Sequence, residues 1–306
     1  MIKRFSLKRV SKVLLLFITV LLLYVFPAKK VYNLNTKESI SINKYHTIYL
    51  LDKNNMLSKV KIIVTYNSID KLSEELLESL IINGKYTDKI PSGFKGVLPK
   101  NTKINSINVK YDLIEVDFSN LFDERLDEEK EVESIIYTLT SLNKINKVKI
   151  TIDSKDLLTL PKSQKKLDSI LTRKYGINKE YDIDSIKNIQ NVTIYYVGIY
   201  DNKKYYVPVT KYINSDKDKI NIIVEELTSR MGYNTDLISY LNSNARLIDY
   251  KLEDDKVFLN FDNYLFDNQS TSKVLEEVLY SIEYSVKDTL DIKNVVFLVN
   301  NKEIKR

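Results

Sequence analysis

The chain has no cysteine and one histidine, His46. Disulfides, thiolate metal sites, cysteine nucleophiles and lipid attachment through Cys are excluded together, and any Ser-His-Asp relay would have to run through His46. That residue precedes an apolar run at 47–51, where a strand-edge position is the expected reading. Tryptophan is absent too. Glycine and proline number only 6 and 5 in 306 residues, which excludes collagen-like and low-complexity chains. The glycines form no nucleotide-binding fingerprint, and Gly93-Phe94-Lys95-Gly96 is too short and wrongly placed for a phosphate loop. Net charge is scarce where it would matter. Lys3, Arg4, Lys8, Arg9 and Lys12 account for most of the formal +6, so the rest of the chain is nearly neutral and offers no polyanion-binding surface. Lysines such as Lys162, Lys165 and Lys166 then read as a solvated face, and no nucleic-acid partner is expected.

The five early cations are followed by Val13 to Phe26, apolar except for Thr19, which is the pattern of an export signal or membrane anchor. Fourteen helical residues span roughly 21 Å, short of the ~30 Å hydrocarbon core, and that length favours a cleavable signal. Phe26, placed where a signal peptidase needs a small residue, favours retention as an anchor. We expect residues 1–30 to form an uncleaved single-pass anchor in the cytoplasmic membrane, residues 31–45 a polar stalk, and the remainder to be extracytoplasmic.

The remaining composition, 43% hydrophobic and 29% charged, is that of a globular chain long enough for two domains. A repeat organises it. Val116-Asp117-Phe118-Ser119-Asn120 corresponds to Leu259-Asn260-Phe261-Asp262-Asn263 at an offset of 143 residues (117 to 260). Carrying that offset into the next helix matches Val132, Ile135, Ile136 and Leu139 to Leu275, Val278, Leu279 and Ile282, and Tyr137 to Tyr280. A four-residue insertion near 287–291 then brings Val148, Ile150 and Ile152 onto Val295, Phe297 and Val299. In front, Thr47-Ile48-Tyr49 matches Thr193-Ile194-Tyr195. Each copy reads β, β, α, β-hairpin, α, β with amphipathic helices, giving an α/β chain of two tandem two-layer domains, each with two helices on a small sheet. The expected boundaries are 46–153 and 192–302. The connector 154–191 is too apolar, with Leu157, Leu160, Leu167 and Leu171, to be a free linker. Asp127, Glu128 and Glu129 suit the start of the second helix of copy one, and Ser270 to Ser272 are the expected caps of its counterpart.

Reactive chemistry is thinly represented. Glu115 and Asp117 lie two apart on a strand and share a face, as an acid and base in sugar hydrolysis would, but copy two has Asn260 at the Asp117 position. A solvated strand face is the plainer reading. Asp262 to Asp267, with Asn263 and Asn268, lacks the glycine and terminal glutamate of a calcium loop and reads as a turn. No catalytic, metal or cofactor residues are assigned. Tyr195, Tyr196, Tyr200, Tyr205, Tyr206 and Tyr212 crowd the first hairpin of copy two, and strict alternation cannot bury all of them. They form a candidate interaction surface, beside the plain alternative of a hairpin rich in Tyr through codon usage.

The run from Leu98-Pro99-Lys100-Asn101-Thr102 through Ile114-Glu115-Val116-Asp117-Phe118 and Glu133-Ser134-Ile135-Ile136-Tyr137 to Lys147-Val148-Lys149-Ile150 resembles the GerMN domain. Thr159-Leu160-Pro161 and Leu171-Thr172-Arg173-Lys174-Tyr175-Gly176 resemble the tail that follows this domain in tandem members. The resemblance implies a fold similar to the ring-building motif and a non-enzymatic role in sporulation and germination. It also implies partners in an envelope complex between mother cell and forespore, with self-association open. The best-known members are lipoproteins attached through a cysteine, so the resemblance implies that an uncleaved helix takes over that role here. A module that binds cell-wall polymer and, further off, a carboxylate hydrolase are the other function classes considered.

Overall fold

Strands β1 (Lys44–Leu51) and β2 (Leu57–Val64) open the described part of the protein, which comprises residues 44–66, 68–229, 236–266 and 273–304 of a computed structural model. Helix α1 (Ile69–Glu78) follows, then the hairpin β3 (Lys103–Lys110) and β4 (Leu113–Ser119), α2 (Glu128–Leu139), β5 (Lys147–Ile152) and the short β6 (Lys155–Asp156). The connector contributes β7 (Glu180–Asp182). Copy two repeats the order as β8 (Ile189–Tyr200), β9 (Lys203–Asn214), α3 (Lys219–Thr228), β10 (Leu247–Glu253), β11 (Lys256–Phe261), α4 (Glu276–Leu290), β12 (Asn294–Val299) and β13 (Lys302–Glu303). The anchor and stalk expected at 1–43 lie outside the described residues. Among the described residues no helix is long and apolar enough to cross a membrane.

Each copy builds a four-stranded sheet, β3-β4-β5-β6 or β10-β11-β12-β13. The hairpin pairs antiparallel, and the third strand returns parallel after a helix, as β4-α2-β5 and β11-α4-β12. Alternation along β4 sends Ile114, Val116 and Phe118 into one core with Val132, Ile135, Ile136 and Leu139 of α2. Val257, Leu259 and Phe261 meet Val278, Leu279, Ile282 and Val286 in the other.

The front hairpins go further than a tandem repeat predicts. Lys59 of β2 pairs antiparallel with Tyr206 of β9, so β1-β2 and β8-β9 merge into one sheet shared by both copies, and β7 adds to it parallel to β9. A repeat describes what each copy contains, whereas this pairing is made between copies. The outer strands β1 and β8 would leave unpaired backbone groups, and α2 and α4 cover them. Tyr49 N–H donates to Thr138 Oγ1 at 3.1 Å and Tyr49 O accepts from Ser134 Oγ at 2.7 Å. Likewise Tyr195 N–H donates to Ser285 Oγ at 2.8 Å and Thr193 N–H to Thr289 Oγ1 at 2.9 Å. Short hydroxyl side chains on the buried helix face thus complete the hydrogen bonding of an otherwise open edge.

These contacts correct the register expected for the second helix. Because Tyr49 and Tyr195 are equivalent, Thr138 corresponds to Ser285 and Tyr137 to Tyr284, an offset of 147 residues (137 to 284) instead of 143. The ring pairs agree, with Tyr49–Tyr137 centroids 5.4 Å apart and Tyr195–Tyr284 centroids 5.3 Å apart. The four-residue insertion therefore precedes α4. Either offset places apolar residues on one stripe, since four residues is close to one helical turn, which is why the pattern alone did not decide. The cap expected within 270–272 lies outside the described residues, and α4 starts after Leu275, which makes no side-chain cap bond. In copy one Asp127 caps α2, accepting from Glu129 N–H and Lys130 N–H.

The connector locks the copies together at Asn178. Its Nδ2 donates to Leu57 O at 2.8 Å and Pro208 O at 2.7 Å, its Oδ1 accepts from Leu57 N–H at 2.9 Å, and its own N–H donates to Glu133 Oε2 at 2.9 Å. Next to it Lys179 forms a buried pair with Glu133 at 2.6 Å. Burial pushes the Glu133 carboxyl up, against the opposing pull of Lys179. An Asn178→Ala chain should lose roughly 2 to 3 kcal/mol of unfolding free energy, because buried donors and acceptors on both hairpins lose their partner. Chemical denaturation measures this, and a loss below about 0.5 kcal/mol would show that the seam closes without Asn178.

Candidate functional site

The seam between the copies is aromatic. Tyr49 and Tyr195, equivalent residues facing each other across the shared sheet, bring their hydroxyls to 3.0 Å. The Tyr195 hydroxyl also donates to Asp288 Oδ2 at 2.5 Å, and Asp288 Oδ1 takes Arg173 Nη1 at 2.5 Å. Arg173 comes from the connector, donates through Nε to Thr140 Oγ1 at 2.9 Å, and lies 4.8 Å from the Tyr137 ring. Burial, and then the Asp288 charge, hold the Tyr195 phenol well above its ordinary range, so it stays a neutral donor. Tyr206, Tyr280 and Tyr284 extend the aromatic cluster, with Tyr280 and Tyr284 stacked at 5.6 Å and Tyr206 edge-on to both.

A cleft of about 600 Å³ opens above this seam, lined by residues of both copies and of the connector. Lys59 lies in it with Nζ 3.3 Å from the centroid of Tyr284. Desolvation outweighs the attraction of Asp288 and lowers the Lys59 ammonium to about 7. Lys147 and Asp112, paired at 3.0 Å, stand on the copy-one wall. Sequence reasoning missed Lys59, Arg173 and Asp288 because Lys59 meets Tyr284 across the copies and Arg173 brings Asp288 and Thr140 together from the connector.

The six tyrosines proposed as an interaction surface are mostly spent inside the chain. Tyr195, Tyr196 and Tyr205 are buried, which corrects the expectation for those three, and Tyr200, Tyr206 and Tyr212 are half-buried. Tyr205 donates to Asp52 Oδ2 at 3.0 Å and meets Phe94 edge-on at 4.9 Å. Tyr200 lies on Gly93, where φ is +91° and a Cβ would come within 2.5 Å of the ring. The glycine pair 93 and 96 thus admits an aromatic from the other copy and the carbonyl of Leu80. Tyr206 joins the seam at Lys59, and Tyr196 packs in the copy-two core. The tyrosines do make an interface, and its other side is copy one. Tyr212 alone reaches an outer corner, where it stacks on exposed Tyr181 at 4.8 Å.

The two carboxylates of the pair have separate surroundings. Asp117 is buried, not solvated as expected, and accepts from Thr151 Oγ1 at 2.6 Å, Asn105 Nδ2 at 2.9 Å and Ser154 N–H at 2.8 Å. Burial opposes its ionisation, but these hydrogen bonds prevail and lower its pKa. Asn260 does the same work in copy two, accepting from Asn301 N–H at 2.9 Å. Both side chains clamp a turn whose two residues, Asp153-Ser154 or Asn300-Asn301, have positive φ. Glu115 accepts from Lys110 Nζ at 3.1 Å at the surface. We therefore expect Asp117→Asn to change unfolding free energy by less than about 1 kcal/mol and Asp117→Ala to cost roughly 2 kcal/mol, since only the latter leaves donors bare. Equal losses in urea melts would refute the clamp. His46 lies edge-on to Tyr66 at 5.1 Å, and its Nε2 is buried without a partner. Asp262 accepts from Tyr264 N–H, closing a turn, while Asp267 and Asn268 lie outside the described residues. Among the described residues no group of three or more His, Asp or Glu is placed to hold a metal ion.

Residues 47–158 and 193–305 each match the family model described as "Germane: Sporulation and spore germination". The chain is 32% identical over 263 residues to the spore germination protein GerM of Bacillus subtilis (strain 168), spanning 83% of this chain and 71% of that protein. It is similar to the solved structure of the tandem GerMN domains of the sporulation protein GerM from Bacillus subtilis, with a TM-score of 0.75, 30% identity, and coverage of 85% of this chain and 92% of that one. Two matched segments, carrying the same duplicated α/β architecture as the solved tandem domains, establish that the chain belongs to the Germane family of sporulation and spore germination proteins, as a member with tandem GerMN domains.

Proposed function

We propose that the protein is a membrane-anchored, extracytoplasmic scaffold without catalytic activity, supporting sporulation and germination by helping to assemble a complex across the envelope between mother cell and forespore. One observation carries the scaffold reading. At the outer end of β9 the chain holds an apolar corner in fixed shape: Ile186 is 94% exposed and Tyr181 62%, with Ile183 and Ile189 also exposed and Tyr212 stacked beneath Tyr181. Asn214 pins this corner, its Oδ1 accepting from Asp184 N–H at 2.9 Å while its Nδ2 donates to the carbonyls of Ser185 and Lys187. Exposed aliphatic and tyrosine side chains on a pre-shaped loop suit contact with a protein surface, and holding them in place reduces the entropy lost on binding.

A chain carrying Ile186→Ser and Tyr212→Ser should keep its melting temperature within a few degrees, yet lower spore yield and co-purification with envelope proteins from sporulating cells. Wild-type yield and co-purification in that folded double variant would remove the corner from the scaffold reading. Recovery of the native protein with residues 1–30 attached, from the membrane fraction, is expected of the anchor, and a mature N-terminus near Lys29 would overturn it.

A further inference from the structure

The cleft between the copies contains a cation that the fold has not neutralised. Of its other basic side chains, Arg173 is taken by Asp288, Lys147 by Asp112 and Lys287 by Glu283 at 2.6 Å, while Lys174 lies exposed at the rim. Lys59 stands apart. Among the described residues it makes no carboxylate contact within 4 Å, and its ammonium rests on the Tyr284 face with the Tyr195 ring 5.9 Å away. In copy two the position equivalent to Lys59 is Pro208, since Tyr49 pairs with Lys59 and Tyr195 with Pro208. The repeat therefore does not need a lysine there, and an apolar residue would avoid the desolvation that a half-buried ammonium suffers. Around it the cleft offers hydroxyl and amide groups, among them Ser141, Thr172, Thr289 and Asn146. Its volume lies in the range of small-ligand sites.

We propose that this cleft binds a carboxylate-bearing ligand, with Lys59 taking the carboxylate and the surrounding hydroxyl and amide side chains serving the rest of the molecule. A single half-buried ammonium resting on phenol faces matches a monoanion. A phosphate dianion is better served by the forked donors of a guanidinium, and Arg173 has already committed these to Asp288 and Thr140. The carboxylate can come from the free C-terminus of a peptide or from a small organic acid, and both present the same group to Lys59.

The groups facing Lys59 make the site pH-linked. They are Lys61 on its own strand, Tyr49 on β1, Tyr206 on β9, Tyr195 on β8, Tyr280, Glu283, Tyr284 and Asp288 on α4, and Arg173 from the connector. Lys59 must carry its proton to hold the anion. Because burial sets its free value near 7, affinity should fall about tenfold per pH unit above that point, and binding at pH 8 should take up close to one proton.

Calorimetry on the full-length chain in detergent would use acetate, Ala-Ala-Ala, its C-terminal amide, N-acetylmuramic acid and inorganic phosphate as probes, in two buffers of different ionisation enthalpy. We expect the free acids to bind, the amide not to bind, and affinity to drop at least tenfold in Lys59→Met and in Lys59→Gln, the second variant covering collapse of the cleft around methionine. Tighter binding of the tripeptide identifies a chain terminus as the source, and tighter binding of the sugar acid a small organic acid. The proposal is overturned if no carboxylate binds at millimolar concentration, if the amide or phosphate binds as well as the free acids, or if folded Lys59 variants bind unchanged.

Discussion

Replacing Phe118 by Ala should lower unfolding free energy by roughly 3 to 5 kcal/mol, and the loss should appear in one transition that takes both copies down together. Phe118 is fully buried on β4 and packs with the apolar face of α2, so removing its ring leaves a cavity that a sheet pinned on both sides cannot close. The helix that covers Phe118 also completes the β1 edge of the shared sheet through Ser134 and Thr138. From there the damage has a path into copy two, through β2-β9 pairing, Asn178 and the Tyr49–Tyr195 contact. Phe261→Ala, at the equivalent place, should behave alike. Scanning calorimetry decides the matter: two resolved transitions, only one of them shifted by Phe118→Ala, would show that the seam does not couple the copies, and a loss under about 1 kcal/mol would refute the packing.

Much of this architecture was legible in the sequence because it obeys local periodicities. Alternation in Ile114, Val116 and Phe118 marks a strand with one buried face, and its echo at Val257, Leu259 and Phe261 marks the copy. What could not be read are the relations between copies. Whether two hairpins join edge to edge depends on the path of a connector, and Asn178, which stitches them, carries no periodic signal. The helix register failed for a related reason: a four-residue slip preserves an apolar stripe, and only the hydrogen bonds from Thr138 and Ser285 to equivalent strand residues distinguish the two. Six tyrosines are more than the alternation of one hairpin can bury. Their excess serves the partner copy, where Tyr205 reaches Asp52 and Tyr200 covers Gly93. Alternation puts Asp117 opposite the core, on the solvent side, yet the turn after β5 folds over that face and buries it.

Departures from the symmetry of the copies are where the remaining energetic leverage lies, and Glu131 is the largest. The offset of 147 places Val278 at its position in copy two, buried in the apolar core. Glu131 is buried as completely, and neither carboxylate oxygen has a hydrogen-bond partner. Burial raises its pKa to about 9, with Asp127, Glu128 and Asp123 adding to the rise and Lys162 opposing it. The folded state thus holds a proton that the unfolded chain, with an ordinary value of 4.5, gives up early. Stability from this group is fully present below 4.5 and drains as pH rises towards 9. Between pH 5 and 7 the decline amounts to about 2 to 3 kcal/mol at 1.36 kcal/mol per pH unit, a ceiling because the positive end of α2 favours the charged form. Lys59 acts in the other direction and higher up: its folded value near 7 lies below an unfolded 10.5, so it returns stability only as pH climbs through that window. Glu131→Val should therefore be more stable than the parent at pH 7, with its advantage growing by up to about 2 to 3 kcal/mol from pH 5 to 7. Titrations of His46 and the surface carboxylates are common to both chains and cancel in the difference. Urea melts at pH 5, 6 and 7 give that difference directly, and a constant gap across the three would mean that Glu131 is ionised in the folded protein and that its burial is compensated by contacts the fold does not reveal.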